Sequence, residues 1–214
     1  MQLRVNSVNV GLSKPLILGN RTVSSAIIKA PVAGPVEVTW DGLAGDEQGD
    51  KRSHGGADQA VYLYSAEDYA WWADQLGFEL APATFGENLT LSSFGAGPVR
   101  VGDRFRIGGV LLEATGPRIP CSKLATRMGD SGFAKRFREA GRPGVYTRVL
   151  SAGWLEAGAQ VERLAGSESA PTVPRVMRLY LDKEPDPAEL RQALAAPLAE
   201  RTRVALERQL DRVG

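Results

Sequence analysis

The sequence predicts a mainly β fold with peripheral helices: a β-barrel over residues 1–164, then a linker and a small three-helix appendage over 165–214. Three observations predict it. Short segments of alternating apolar and polar residues recur through the first part, separated by Gly and Pro turns, which is a barrel pattern. The stretch "GDRFRIGGVLLEATG" holds two strand-like runs joined at Gly108-Gly109, where glycine permits the positive φ of a tight hairpin. Behind the polar linker "GSESAPTVP", which starts at Gly166, the periodicity becomes helical.

Taken in order, "LRVNSVNV" and "PVEVTWDG" alternate as half-buried strands do, and "AVYLY" (60–64) reads as a buried strand. "SAEDYAWWADQLG" reads as a helix with Ser65 as N-cap, Asp68 three residues on and Gly77 as its stop. Tyr69, Trp72 and Leu76 share one face of it and are expected to pack on the barrel. Residues 123–128 and 131–140 read as two short helices broken near Gly129, with Phe133 and Phe137 as a core stripe and Lys135, Arg136 and Arg138 as a solvated face. "PGVYTRVLSAGWLEAGAQVERL" is expected to supply two further strands. The appendage helices are expected at 175–181, 187–195 and 198–212, the second opening on Asp186-Pro187.

The totals exclude several function classes. A 43% hydrophobic, 24% charged chain of 214 residues has ordinary globular composition. A net charge of +1 argues against a nucleic-acid or anionic-membrane partner. One cysteine forms no internal disulfide, and one histidine excludes His-pair zinc motifs. The N-terminal stretch has no signal-peptide core, and no run approaches the ~18–20 apolar residues of a membrane helix. These features lead to the expectation of a cytoplasmic protein with a reduced thiol. No flavin, haem or iron–sulfur signature is present, and nothing specifies the oligomeric state.

Two motifs are decoys. "GDSG" (129–132) and "HGG" at His54 match hydrolase fragments in letters only, because Ser131 is followed by a helix rather than by oxyanion donors. "GAGP" at Gly95 is a turn with no helix behind it.

Three stretches carry more. "DGLAGDEQGDKRSHGGADQAVYLY" brings Asp46 and the single His54 into a Gly-rich loop before a buried strand, where Gly55 and Gly56 let backbone approach a ligand. Asp41, Glu47 and Asp58 there read as solvated. "FGENLTL" sets Glu87 and Asn88 at a strand entry, which a turn explains equally well. "GPRIPCSKLATRMG" places Cys121 behind Pro120 at a helix start, between Arg118 and Lys123. Positive charge and a helix N-terminus both favour thiolate. The bland alternative is a buried filler cysteine. Arg148, on a strand, is expected to point into the same cavity.

In order, "VNSVNVG", "GLAGDEQGDKRSHGG", "FGENL", "VGDRFRIGGVLLEATGPRIPCSKL" and "GVYTRVLSAGWLEAG" resemble the molybdenum cofactor sulfurase C-terminal (MOSC) domain family. The likeness is strongest to its bacterial branch linked to hydroxylaminopurine resistance, which carries a similar helical extension. The resemblance covers nearly the whole chain. It implies a MOSC-type barrel and a molybdopterin-type molybdenum cofactor. Cys121 is then the metal ligand, or carries sulfur. Arg118, Lys123, Asn88, Arg148, Gly55 and Gly56 surround the cofactor, with His54 and Asp46 joining Cys121 in catalysis. Pyridoxal phosphate binding is a further family association. Gln59 stands where a basic residue is common and Ser122 where an aromatic is frequent.

The activity implied is reduction of a small N-hydroxylated substrate. Two electrons and two protons reach the N–OH group and water leaves; no side chain supplies such electrons, so a cofactor and an external electron-donor protein must. His54 is expected to protonate the leaving oxygen, oriented by Asp46. Alternatives are a persulfide carrier acting through Cys121 and a non-catalytic cofactor carrier.

Overall fold

The computed structural model describes residues 2–48 and 56–213. The chain opens with β1 (Leu3–Val10), the hairpin β2 (Lys14–Leu18) and β3 (Arg21–Ser25), and the short β4 (Ala30–Pro31). β5 (Val36–Thr39) and β6 (Gly42–Leu43) follow, then a 3-10 turn at Ala57–Gln59, β7 (Val61–Ser65), α1 (Ala66–Leu76) and β8 (Leu89–Leu91). Next come β9 (Arg104–Ile107), β10 (Val110–Gly116), α2 (Ser122–Met128), α3 (Phe133–Ala140), β11 (Val145–Ser151), β12 (Gly153–Leu155) and β13 (Gln160–Leu164). The chain ends on α4 (Val173–Leu181), α5 (Pro187–Leu194) and α6 (Glu200–Val213).

Seven strands close into a mixed barrel in the order β13-β9-β10-β11-β7-β8-β1, with β1 returning to β13 through Leu3↔Val161 and Arg4↔Gln160. Among these seven strands only the β7–β8 pairing is parallel, since α1 forms the crossover between them. The Gly108-Gly109 hairpin stands as expected, with Val110 opposite Ile107. The segment expected to give two late strands gives three. After Ser151 the chain leaves the barrel and adds β12 to a small sheet beside β5, before β13 rejoins the ring.

The alternation in β7 explains why all five of its residues are buried. Val61 and Leu63 point into the barrel core, while Tyr62 and Tyr64 point outward into an aromatic layer with Trp72, Phe85, Phe133 and Phe137. α1 therefore packs in this layer, with the Trp72 Nε1–H donating to the Tyr64 hydroxyl at 2.8 Å. Its caps are those the sequence predicts: Ser65 accepts from the Asp68 N–H and Gly77 closes in the left-handed region.

The three C-terminal helices share the barrel's core rather than forming a separate one. Val173, Val176, Leu179, Leu190 and Leu206 lie in the same apolar cluster as Phe105, Val110 and Leu112. The docking is also polar. The Ala199 N–H donates to the Thr115 carbonyl, and the Glu200 N–H donates to Asp58 Oδ2 at 3.0 Å, so Asp58 caps α6 from the barrel side.

Candidate functional site

A cleft opens on the outer side of the barrel, walled by three parts of the chain. The segment behind β3 brings Ser25, Ile27 and Lys29. The barrel and its loops bring Asp46, Gln59, Tyr62, Gly86, Asn88, Arg118, Cys121, Lys123 and Tyr146. The helical unit brings Tyr180, Arg201 and Thr202.

Cys121 is the N-cap of α2 in an extended conformation (φ −140°, ψ 170°), as the Pro120 signal predicts. Its side chain is partly exposed on the cleft wall. Arg118 lies close enough to it for the two to interact electrostatically. The Arg118 guanidinium is 7% exposed, donates from Nη1 to the Phe85 carbonyl at 2.7 Å, and sits 5.4 Å from the Tyr62 ring centroid. Its Nε is buried without a hydrogen-bond partner. Burial works against this charge, but Tyr146, Tyr62 and Cys121 around it outweigh burial and hold its pKa above the ordinary arginine value. Gly86 allows the close approach: at φ +73°, a Cβ there would meet the Ile27 side chain at 3.0 Å and Arg118 Nη1 at 3.5 Å.

On the facing wall the Lys29 ammonium pairs with Asp46, both side chains nearly buried at 7% and 6% exposure. The Asp46 carboxylate also accepts from Asn88 Nδ2 and from the Gly11 N–H, each at 2.8 Å. Asn88 Oδ1 accepts from the Tyr62 N–H at 3.1 Å. Next to Asn88 lies Glu87, fully buried. Its Oε1 accepts from the Tyr69 hydroxyl, the Ala83 N–H and the Thr90 hydroxyl, while Oε2 has no partner. Burial raises its pKa above the carboxylate value of 4.5 despite those hydrogen bonds.

The sequence-predicted residues divide accordingly. Cys121, Arg118, Lys123, Asn88 and Asp46 meet at the cleft. Asp46, expected to orient His54, is engaged by Lys29, Asn88 and Gly11; Asn88, expected to contact a cofactor, spends its amide on Asp46 and the β7 backbone. Arg148 does not reach the cleft. It shares an outward face of β11 with Tyr146 but stands two residues further along, about 7 Å. There its Nε lies 3.1 Å from Asp58 Oδ1 and its Nη2 donates to the Pro197 and Leu198 carbonyls. It fastens the helical unit to the barrel. Gly56 precedes the 3-10 turn and donates to Gln48 Oε1, outside the cleft lining. His54 and Gly55 lie outside the described residues.

Sequence reasoning missed Lys29, Tyr62, Tyr146, Tyr180 and Arg201. Lys29 follows the apolar run Ala26-Ile27-Ile28, a faint sign of a buried cation; the others carried no local sign. Among the described residues Arg118, Lys123 and Arg201 have no carboxylate within ion-pair distance, and no group of three or more His, Cys, Asp or Glu side chains is placed to hold a metal. The donor set is one thiol among unmatched cations. No helix of the described residues is long and apolar enough to cross a membrane.

Comparison with known proteins agrees with this architecture. The MOSC domain matches residues 50–162, and the YiiM-like 3-alpha helix domain matches residues 171–212. YflK of Bacillus subtilis is 33% identical over 210 residues, covering 98% of this chain and 95% of that protein. YiiM of Escherichia coli is 39% identical over 142 residues, 64% of this chain and 63% of that one. The crystal structure of YiiM from Geobacillus stearothermophilus superposes with a TM-score of 0.79 at 29% identity, covering 97% of this chain and 99% of that one. The MOSC model spans just over half of the sequence and YflK nearly all of it, and the chain belongs to the MOSC domain family.

Proposed function

We propose that the cleft binds a molybdopterin-type molybdenum cofactor and reduces small N-hydroxylated compounds. The observation that carries this reading is Cys121 on the cleft wall beside a buried Arg118 whose Nε has no partner. A thiolate is a soft ligand suited to a redox metal. Arg118, Lys123 and Arg201, lacking carboxylate partners, suit the phosphate and the negative charge of such a cofactor. The residues present fit the group: Cys121 would hold the metal and the three cations the phosphate end. When bound, the cofactor would supply two-electron transfer, which no side chain provides. Tyr62 and Tyr146, with ring centroids 4.8 Å apart, form an aromatic backing that excludes water behind Arg118. Tyr180 of α4 offers a ring at the cleft to a planar substrate. The electrons come from a donor protein outside this chain. A distant relative named "Reductase", from Gibberella moniliformis, is 34% identical over 178 residues, a match that spans 31% of that protein; its name supports a reductive chemistry.

The test is molybdenum and pterin content of protein made in a host competent in molybdopterin synthesis, beside Cys121→Ser, followed by N-hydroxyadenine reduction with reduced methyl viologen as donor. The expected result is molybdenum in the wild type, its loss in the variant, and turnover only in the loaded protein. A stable added sulfur on Cys121 in protein without pterin would instead establish the sulfur-carrier reading. Cofactor binding without turnover would leave a carrier.

A further inference from the structure

We propose that Lys29 is the catalytic acid of this cleft, its ammonium protonating the departing hydroxyl oxygen of the N-hydroxylated substrate. The inference rests on the reductive reading above. It differs from the expectation for His54 in both residue and pH range.

The geometry is that of a held donor. Lys29 lines the cleft with a side chain only 7% exposed. Its ammonium donates to Asp46, and Asp46 is itself fixed by the Asn88 amide and the Gly11 N–H. Gly11 is required for the approach, since a Cβ there would meet the Ile28 carbonyl oxygen at 2.4 Å and Lys29 Cγ at 3.1 Å. An ammonium has three N–H donors. Asp46 is its only acceptor among the described residues, so donors remain for a ligand in the cleft. The titratable groups acting on Lys29 are Asp46, Arg118 and Glu87. Burial and Arg118 lower its pKa from 10.5; Asp46 and Glu87 raise it but do not cancel the lowering. A lysine so placed gives up its proton more readily than one in water.

The step balances. Lys29 delivers one proton to the hydroxyl oxygen as the N–O bond breaks. The bonding pair leaves with oxygen, and water departs. The two electrons from the external donor restore the nitrogen pair, and nitrogen takes a second proton from solvent. The product is the amine. Lys29, left neutral, regains its proton from water.

The experiment uses loaded protein with N-hydroxyadenine and reduced methyl viologen, and measures molybdenum content on the same samples. Lys29→Arg keeps the charge and the Asp46 pair but cannot release a proton. It should load molybdenum as the wild type does and lose turnover by about 100-fold or more. In the wild type, kcat should fall as pH rises through the Lys29 pKa, below the range of a free lysine. Asp46→Asn removes the carboxylate that favours the ammonium, so this fall should move to lower pH. In cofactor-free protein, the pH dependence of Lys29 acetylation by acetic anhydride, read by peptide mass spectrometry, should show the lowered pKa without any turnover. Wild-type kcat and pH profile in Lys29→Arg, loss of molybdenum in that variant, or acetylation at the ordinary lysine midpoint would each overturn the proposal. A loaded wild type that reduces nothing would overturn the reductive reading and this proposal together; an active Lys29→Arg would overturn this one alone.

Discussion

The two walls of the cleft are both charged, and they leave their charges in opposite states. On the first, Asp46 is matched by Lys29, Asn88 and Gly11, and folding alone holds the Lys29 ammonium in place with donors left over for the cleft. On the second, Arg118, Lys123 and Arg201 have only carbonyl partners or none among the described residues. Like charges gathered without counter-charge cost stability, whereas in a buried, matched pair the large cost comes when one half is removed and the other is left uncompensated. The difference teaches what each wall offers: the first a proton donor held in place by the protein itself, the second charge left for a ligand to match.

Substitutions on each wall sharpen or break that contrast. The largest effect is expected for Asp46→Ala, which strands a buried ammonium; thermal unfolding should show a loss of about 3–5 kcal/mol. A change near zero would mean that the first wall is not closed by its own pairing. Arg118→Met should lower affinity for the cofactor about 10–100-fold, as expected for lost charge-assisted hydrogen bonds. Titration of cofactor-free protein measures this, and its melting point should fall less than that of Asp46→Ala. Arg201→Gln, at an exposed position, should cost about 2–5-fold in the same titration. An unchanged affinity would remove the helical unit from the binding wall.

The smallest effect concerns Glu87. Its folded pKa is raised by burial, so the folded state holds the proton more firmly than the unfolded one, and stability falls as pH rises from 4.5 through the folded pKa. Glu87→Gln keeps the acceptor for Tyr69 and lacks this titration. Melting curves should therefore show the variant gaining on the wild type as pH rises, with the two closest at low pH. Parallel curves across pH would show that burial does not raise the Glu87 pKa.

Local pattern carried much of the fold. Ser65 and Gly77 bound α1, Gly108-Gly109 turns the hairpin, and Pro120 leads Cys121 to the start of α2, because each signal is set within a few residues. The site was legible only in part. Arg118, Cys121 and Lys123 lie close together in sequence and show as one basic, thiol-bearing stretch. Lys29 and Asp46 are apart in the chain and meet only once β1 and the segment behind β3 are packed, so no local pattern announces their pair. Arg148 alternates correctly on its strand, yet which neighbour it meets was decided by the helices arriving after residue 172, not by alternation. Arg201 sits on an amphipathic helix, where an exposed arginine reads as solvent-facing until the cleft is seen beside it.

The ring closes where Leu3 meets Val161 and Arg4 meets Gln160. That seam has a temporal consequence. A chain leaving the ribosome from its N-terminus releases β1 first and β13 last of the barrel strands, so β1 keeps an open hydrogen-bonding edge until the rest of the barrel has emerged. Contacts of such long sequence separation make folding slow and leave partly formed sheets exposed to association. The cleft, which depends on β1 through Gly11 and on α6 through Arg201, is then among the last parts of the molecule to become capable of holding anything.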